Sequence, residues 1–336
     1  MQLLLTVFVA IGIASSHQKI GAFGYDCETL NLIGACIDLP ALENITECDI
    51  HSLKPTNAYH MKPMKLGVAV YGIDLKKPVS EETIIQIKYD LLKHRLLIFK
   101  NQGIVPAERQ VSLMEQFGRV ISLHPKHPDS PHHGVLRISN HFRHGYQKVG
   151  VSAWHTDGFF VERPYSYVAF HIISISMNGD TWFLPINELL TRVDKETLQR
   201  WDRLWYLSSI LNVTNPILFA HPILKMPTLN IHLNMVKHFI WDMNTPQERH
   251  TEPNETQQII NDMSAVLYDE ISALQYTHKW EKGDFIVFDN NAILHKASPG
   301  TQVMPHKDGI RIMHRTTVEG HCPLEKEYEH YRNSYN

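Results

Sequence analysis

The sequence predicts a mainly β fold, a β-sandwich or jelly roll supported by α-helices, and two observations point to it. Strand-like segments are spread through the second half of the chain, whereas helical periodicity is confined to the first third and to insertions between strands. No Gly-x-Gly-x-x-Gly motif follows a predicted strand, which argues against a dinucleotide-binding parallel sheet. Packed sheets with helices on the outside fit this order of elements.

The first regular elements are a strand at 66–70, a helix, a second strand at 96–99 and a second helix. Ser80 is a good N-cap for the first helix, and its apolar residues fall on one face: Ile84, Ile87, Leu91 and Leu92. Pro106 favours the start of the second helix, which we expect to run to about residue 117, because proline is tolerated in the first helical turn.

The second half alternates predicted strands with turns and two more helices. We expect strands at 165–174, 181–183 and 309–320, a turn at 178–180, and helices at about 194–204 and 256–271. The segment 121–150 is rich in His, Pro and Gly. Such a tract can bind metal loosely, but we favour a solvated loop that forms a wall of the site.

The composition is that of an ordinary globular protein. Hydrophobic residues make up 43% of the 336 residues, charged residues make up 20%, and the formal net charge is −3. Basic residues are neither in excess nor clustered in a stripe. We therefore expect no nucleic-acid partner.

The N-terminal region has features of a secretory protein. Residues 1–16 form a short apolar run that ends in small residues, which is typical of a signal peptide, with an uncleaved anchor as the alternative. Asn-x-Ser/Thr sequons occur at Asn44, Asn212 and Asn254. We expect a glycoprotein of the secretory pathway, secreted or in the lumen of the endoplasmic reticulum, with no membrane contact after cleavage.

Four cysteines follow the predicted cleavage site: Cys27, Cys36, Cys48 and Cys322. Three of them lie in the N-terminal extension, which suits a disulfide-tied segment and admits three pairings, with free thiols as the alternative. We divide the chain into a signal peptide (1–16), an irregular Cys-containing extension (17–62), a jelly-roll domain (63–322) and a C-terminal tail (323–336).

The stretch Trp-His-Thr-Asp at 154–157 is the candidate centre of a metal site. His155 and Asp157 are two residues apart, so on an extended segment they project to the same face. His295, which follows an apolar strand much later in the chain, is the candidate third ligand. Two His and one carboxylate on one face of Fe(II) leave positions open for a co-substrate and dioxygen.

Two arginines of the last predicted strand are candidate anion anchors. Arg311 and Arg315 are four residues apart, so they share one face of a strand and are separated by roughly 13 Å of strand rise. A guanidinium binds a planar carboxylate in a bidentate manner. We expect one to hold a 2-oxo acid co-substrate and the other a substrate anion, although either could instead be a solvated residue at the rim.

Several motifs, in order, resemble the taurine/2-oxoglutarate dioxygenase (TauD/TfdA-like) family over most of residues 63–320. They are GVAVYGIDLKKPVS, LLKHRLLIFKNQGIVPAERQVSLMEQFGRV, LHPKHP, WHTDGFFVERP, NGDTWF, KGDFIVFDNNAILH and RIMHRTTVEG. The resemblance implies a double-stranded β-helix (jelly roll) with flanking α-helices. It also implies an Fe(II)- and 2-oxoglutarate-dependent dioxygenase that consumes dioxygen, with ascorbate as a candidate reductant of the iron.

The resemblance also implies a role for each site residue. By this reasoning iron is bound by His155, Asp157 and His295. The distal carboxylate of 2-oxoglutarate is held by Thr181 and Arg311. The acidic group of the substrate is held by Arg315, with His124, the backbone amide of Gly158 and the side chain at Val151 beside it.

Three departures from the taurine-specific pattern concern the substrate. Val151 stands where a polar side chain is expected, His127 stands where a tyrosine is usual, and the loop between His295 and Arg311 is several residues longer. We therefore expect a small organic anion, a sulfonate or carboxylate other than taurine. Hydroxylation at a carbon that bears sulfur would release sulfite and an aldehyde, with succinate and CO2 as co-products.

The alternative function is a secreted, non-catalytic small-anion-binding protein on the same barrel. A desaturase or a peptide hydroxylase would use the same iron site. The expected partners are a small anionic metabolite and dioxygen, with a homo-oligomer as an open alternative to a single chain.

Overall fold

The structure is a computed structural model that describes residues 58–151 and 153–326. The predicted signal peptide, the sequon at Asn44 and most of the predicted tail lie outside the described residues. So do three of the four cysteines, namely Cys27, Cys36 and Cys48.

Short strands dominate the described part of the chain. They are β1 (His60–Pro63), β2 (Val68–Tyr71), β3 (Leu96–Phe99), β4 (Val120–Ile121), β5 (Leu136–Ser139), β6 (Tyr167–Ser174), β7 (Thr181–Pro185), β8 (Leu204–Ser208), β9 (Thr214–Pro216), β10 (Leu218–Ala220), β11 (Pro227–Leu229), β12 (Val236–Trp241), β13 (Arg249–His250), β14 (Tyr276–His278), β15 (Phe285–Asp289), β16 (Ile293–Ala297) and β17 (Ile312–Val318).

Six α-helices lie between these strands in the described ranges. They are α1 (Glu81–His94), α2 (Ala107–Glu115), α3 (Ile186–Leu190), α4 (Lys195–Asp202), α5 (Pro253–Leu274) and α6 (Pro305–Asp308), and short 3-10 helices occur at Leu233–Met235 and Pro299–Gln302. Ser80 caps α1 by accepting a hydrogen bond from the Thr83 amide at 3.4 Å. None of the helices in the described ranges is long and apolar enough to cross a membrane.

The largest sheet has the order β1-β2-β3-β15-β6-β17-β4, and β5 also pairs with β17. Its pairs are antiparallel apart from β2 and β3, which run parallel. Three smaller sheets have the orders β14-β7-β16, β13-β12-β8-β9 and β10-β11. Strand β16 of the sheet β14-β7-β16 includes His295, one of the predicted metal ligands.

Aromatic side chains fill the space between the large sheet and the sheet β14-β7-β16. Phe183 of β7 contacts Phe288 of β15, with ring centroids 5.5 Å apart, and Phe170 of β6 contacts the same ring at 5.2 Å. These three side chains are buried. The two sheets therefore enclose a common apolar core, and the predicted jelly roll with flanking helices is confirmed.

The strands predicted from sequence are present, with shifted ends, but the irregular and His-rich segments contain strands that were not predicted. The prediction of an irregular segment through residue 62 is wrong at its end, because β1 pairs with β2 in register His60↔Tyr71. The segment 121–150 is mostly loop, but β5 lies within it and pairs with β17. Pro106 precedes α2 as its N-cap rather than lying inside it.

Candidate metal centre

Three histidines lie side by side on neighbouring extended segments. His155 pairs with His295 of β16 on one side and with His232 on the other. His155 and His295 exchange both backbone hydrogen bonds, at 3.1 and 3.0 Å. Because directly opposite residues of paired strands project to the same face, the imidazoles of His155 and His295 meet, with ring centroids 4.3 Å apart.

Asp157 completes a cluster with the two predicted histidine ligands. One ligand atom each from His155, Asp157 and His295 all lie within 4.8 Å of one another, and the three side chains are buried. The Nε2 atoms of both histidines lie 3.8 Å from the Asp157 carboxylate, each opposite a different oxygen. The structure thus brings together the three residues predicted as metal ligands.

The protonation states of the histidines suit metal binding. The pKa of His295 is lowered to about 3, mainly by burial and also by the charges of Arg315 and His232. Burial also lowers the pKa of His155 well below its ordinary value, and the neighbouring His295 adds to this. The Nδ1 of His155 donates to the carbonyl of Ala153 at 2.8 Å, which leaves Nε2 as the lone-pair donor.

Asn290 and Arg315 hold Asp157 in place. The amide of Asn290 accepts a hydrogen bond from the Asp157 N–H at 2.8 Å and donates to the Asp157 carbonyl at 2.9 Å and to the Tyr165 carbonyl at 2.7 Å. Arg315 Nη1 donates to Asp157 Oδ1 at 2.7 Å, and both side chains are buried. Asp157 Oδ2 has no hydrogen-bond partner in the described chain.

Arg311 is a buried cation close to the turn before β7. It is 3% exposed, its Nε donates to the carbonyl of Gly179 at 3.0 Å, and it forms no ion pair with a described carboxylate. Burial lowers its pKa to about 10. Thr181 is buried as well, and its Oγ1 accepts a hydrogen bond from the Trp280 indole at 3.0 Å, so its hydroxyl proton is available to a ligand.

The residues predicted to contact the substrate differ from one another in burial and in hydrogen bonding. His124 is exposed at the edge of the site, and its pKa is lowered by partial desolvation and by Arg315. Val151 is half-buried and follows Gly150, whose backbone packs against the His155 ring. Both ring nitrogens of His127 are used locally, by the Phe142 carbonyl at 3.1 Å and the Asp129 amide at 3.1 Å.

Gly158 continues the chain from Asp157 in a conformation that suits glycine. Its φ is +72°, and a Cβ added there would meet the Tyr165 ring at 2.7 Å. The turn therefore brings Tyr165 against the segment that carries Asp157. Burial raises the pKa of Tyr165 to about 12, and Arg315 and Asp157 also act on it.

The donor set fits a non-haem iron and a dicarboxylic co-substrate. Two neutral imidazoles and a carboxylate on one face are the donors that Fe(II) takes in oxygenases. The buried, orphaned Asp157 Oδ2 suits a metal ligand. Arg311 is buried and forms no ion pair with a described carboxylate, so it suits the distal carboxylate of 2-oxoglutarate, since a buried charge needs an opposite charge.

Three residues that the sequence did not single out also belong to this region. They are His232, Asn290 and Tyr165. Asn290 follows a fully buried strand within the polar run Asp289-Asn290-Asn291, which is a signal that could have been used. His232 follows β11, a strand of three residues, and nothing in its local pattern indicates that it pairs with His155.

Comparisons with known proteins agree with this geometry. The sequence profile of the taurine catabolism dioxygenase TauD, TfdA family matches residues 56–317. An alpha-ketoglutarate-dependent sulfate ester dioxygenase of Pseudomonas putida is 23% identical over 293 residues, which cover 77% of this chain and 88% of the relative. An alkylsulfatase of Acinetobacter baylyi is 23% identical over 300 residues, 79% of this chain and 86% of the relative.

Solved structures show the same fold. A taurine dioxygenase from Burkholderia xenovorans superposes with a TM-score of 0.64 at 21% identity, over 78% of this chain and 90% of the other. AAD-2 in complex with Mn(II) and N-oxalylglycine gives a TM-score of 0.61 at 19% identity, over 79% and 98%. The chain therefore belongs to the taurine catabolism dioxygenase TauD, TfdA family and is an Fe(II)- and 2-oxoglutarate-dependent dioxygenase.

Proposed function

We propose that the protein hydroxylates a small organic anion that carries a sulfonate, sulfate ester or carboxylate group. The observation that carries the proposal is the buried Arg315, whose Nη1 lies 2.7 Å from the Asp157 carboxylate of the metal cluster. A cation at this position can bind an anionic substrate and orient its C–H bond towards the metal. His124 lies close enough to Arg315 for the two charges to interact.

Two similar proteins support an oxygen-rich anion as the substrate. One is a sulfate ester dioxygenase and the other an alkylsulfatase. Sulfate esters and sulfonates share three terminal oxygens on sulfur, which a guanidinium and an imidazole can bind together. We therefore extend the substrate class from sulfonates and carboxylates to sulfate esters.

The residues of the site would divide the work as follows. His155, Asp157 and His295 would hold Fe(II), and Thr181 and Arg311 would hold 2-oxoglutarate. Fe(II) and 2-oxoglutarate would supply the oxidising power, with loss of CO2 and formation of succinate. The chain's own share is to orient the anion through Arg315 and to keep the reacting atoms away from water.

The departures from the taurine pattern favour a substrate without an amine. Val151 offers only an apolar side chain, and the ring nitrogens of His127 are already engaged by backbone groups. The long segment after His295 folds into a 3-10 helix and α6, and Asn140 binds it by donating to the carbonyls of Val303 and Gly309, at 2.9 Å each. It would give this chain its own wall beside the site.

A substrate screen tests the proposal. Oxygen uptake is measured with Fe(II) and 2-oxoglutarate over matched alkyl sulfates, sulfonates, carboxylates and phosphonates, with taurine included. We expect substrate-triggered uptake with an alkyl sulfate or sulfonate, and little with taurine. Arg315→Met should raise the KM for that anion, whereas the control Arg143→Met, at an exposed arginine, should not. Iron binding without uptake on any of these compounds would favour the non-catalytic binding protein.

We also propose that the protein passes through the secretory pathway and is glycosylated there. Two of the three sequons lie in the described chain, and both asparagines are exposed: Asn212 in the turn between β8 and β9, and Asn254 at the start of α5. Exposure makes both accessible to a glycan without disturbing the core.

Expression in a eukaryotic secretory host tests this second proposal. Treatment with an N-glycosidase should increase the mobility of the secreted protein, and Asn212→Gln with Asn254→Gln should remove part of that shift. A protein that stays inside the cell, unmodified at all three sequons, would contradict it.

A further inference from the structure

His232 is the third histidine of the row and has no role in the metal cluster. It is the antiparallel partner of His155, on the side away from His295, and its ring centroid lies 4.9 Å from that of His155. Its ring is also 5.8 Å from the ring of Phe159. The side chain therefore reaches the interior of the site beside the residues that would bind metal.

The imidazole of His232 is buried without a full set of partners. The residue is 6% exposed, and its Nδ1 has no hydrogen-bond partner in the described chain. A buried ring nitrogen without a partner destabilises the folded protein, because it has lost its hydrogen bonds to water. Such a group in an active site suits a hydrogen bond to a bound molecule.

Hydrogen bonds to the neighbouring backbone fix the position of His232. The Thr156 amide donates to the Ile231 carbonyl at 3.0 Å, and the Thr156 hydroxyl donates to Asn230 Oδ1 at 2.9 Å. Asn230 in turn donates to the Tyr206 hydroxyl at 2.6 Å. The segment that carries His232 is thus held against the segment 154–159 by side chains as well as backbone.

The side of the site on which His232 lies is set by the strand order. Thr181, a predicted anchor of 2-oxoglutarate, lies on β7, where it pairs with Ala297 of β16. His295 is on the same strand β16, so the co-substrate anchor lies beyond His295. His232 lies beyond His155 in the opposite direction. His232 is therefore placed away from the co-substrate and towards the remaining part of the site.

We infer that His232 is a substrate-binding residue whose Nδ1 pairs with an oxygen of the bound organic anion. The inference rests on the proposed function and deepens it, because His232 gives the substrate a further polar contact in addition to the one with Arg315. An anion whose oxygen reaches His232 is held at two points, so its orientation relative to the metal is restricted. His232 would then select among anions of similar charge.

Binding measurements that need no turnover test the inference. The protein is loaded with Mn(II) and N-oxalylglycine, and calorimetry follows the binding of hexyl sulfate, hexanesulfonate and hexanoate. The variants are His232→Leu, His232→Asn and His232→Gln, because the Asn amide nitrogen mimics Nδ1 and the Gln amide nitrogen mimics Nε2. His250→Leu, on the outer strand β13, is the control.

We expect His232→Leu to weaken the best-bound anion at least about tenfold, the loss of one hydrogen bond to a charged group. His232→Asn should stay within about threefold of the original protein, since an amide at the Nδ1 position keeps the bond. Affinities for Mn(II) and N-oxalylglycine should stay unchanged in every variant.

Three outcomes overturn the inference while the proposed function stands. They are an unchanged anion affinity in His232→Leu, rescue by Gln but not by Asn, and loss of Mn(II) binding in His232→Asn. Failure of the proposed function looks different, because none of the three anions would then bind the original loaded protein, and the inference would fall with it.

Discussion

The side-chain amide of Asn290 binds the peptide of Asp157 on both sides, accepting from its N–H at 2.8 Å and donating to its carbonyl at 2.9 Å. Asn290 follows β15, whereas Asp157 lies 133 positions earlier in the chain. The contact therefore joins the two stretches that supply the carboxylate and, five residues after Asn290, the second histidine. A single buried amide sets the position of the carboxylate relative to His295.

Replacing Asn290 should loosen the metal cluster. Asn290→Ala leaves the buried N–H and C=O of Asp157 without partners, so we expect about 1–3 kcal/mol lower stability and weaker Mn(II) binding. Chemical denaturation and calorimetry measure the two effects. The exposed Asn261→Ala should change neither by more than about 0.5 kcal/mol. Unaltered metal affinity in Asn290→Ala would show that the hydrogen bonds between Asn290 and the Asp157 peptide do not contribute to metal binding.

Substitutions at Gly158 and Gly103 separate the cost of a left-handed backbone from the cost of a side-chain clash. Gly158→Ala meets both the cost of a left-handed backbone and the Tyr165 ring, at 2.7 Å from the added Cβ. Gly103 has a similar φ of +65°, but a Cβ there has no atom within 4 Å. We expect Gly103→Ala to cost about 1–2 kcal/mol, and Gly158→Ala to cost about 1–3 kcal/mol more. Equal losses in thermal or chemical denaturation would argue against the Tyr165 contact.

Arg311 should affect ligand binding more than stability. Its guanidinium is buried and forms no ion pair with a described carboxylate, although the charge of Asp180 acts on it from a greater distance. Arg311→Met therefore removes a buried and only partly compensated charge, and the ligand-free protein should be at least as stable. The same variant should lose most of the stabilisation that 2-oxoglutarate gives, which for the original protein is about 2.7 kcal/mol at 100 times the Kd. Thermal shifts with and without 2-oxoglutarate measure this difference. An undiminished thermal shift with 2-oxoglutarate in Arg311→Met would show that the distal carboxylate binds to another residue.

Buried histidines should make the metal-free protein sensitive to acid. Burial lowers the pKa of His171 to about 4 and that of His314 to about 3, from an ordinary value of 6.5. Below pH 6.5 the unfolded chain binds protons at these rings while the folded chain does not. The free energy of unfolding should therefore fall as pH drops towards 4, by up to about 1.4 kcal/mol per pH unit and residue.

The variant His314→Gln tests this assignment. Glutamine keeps an acceptor for Arg137 Nη1, which lies 2.7 Å from His314 Nε2, but it cannot titrate. Urea denaturation between pH 7 and 4.5, with a chelator present, should show a smaller slope against pH for the variant. Identical slopes would mean that His314 does not remain neutral in the folded protein.

Much of the site was predictable because its residues carry local signals. The spacing of His155 and Asp157 indicates a shared face, and the alternation of residues 309–320 indicates the strand β17 that carries Arg315. Arg311 lies just before this strand, and the register shifts between Ile312 and Met313, so its predicted place on one strand face with Arg315 is not confirmed. The structure brings His155, Asp157 and Arg315 together, with His295 beside them. Their individual roles stay predictions until variants are measured.

The remaining parts of the fold and the site depend on long-range packing, which the sequences of short strands do not indicate. Strands β9 to β11 have three residues each, too few for a periodicity to be recognised. His232 follows this region, and its meeting with His155 comes from pairing across 77 positions, the difference between 232 and 155. The polar run in the sequence indicates Asn290 as a candidate site residue. Its pairing with Asp157 could not be predicted, because a side-chain hydrogen bond to a distant peptide has no sequence pattern.

The central claim is that His155, Asp157 and His295 form the iron site at which 2-oxoglutarate is consumed. Succinate formation from 2-oxoglutarate with added Fe(II) tests it most directly, in the original protein, His155→Ala, Asp157→Ala and the control His250→Ala. We predict iron-dependent succinate in the original protein and the control, and a loss of at least about 100-fold in both ligand variants. Succinate formation that persists in Asp157→Ala, or that does not require iron, would contradict the account.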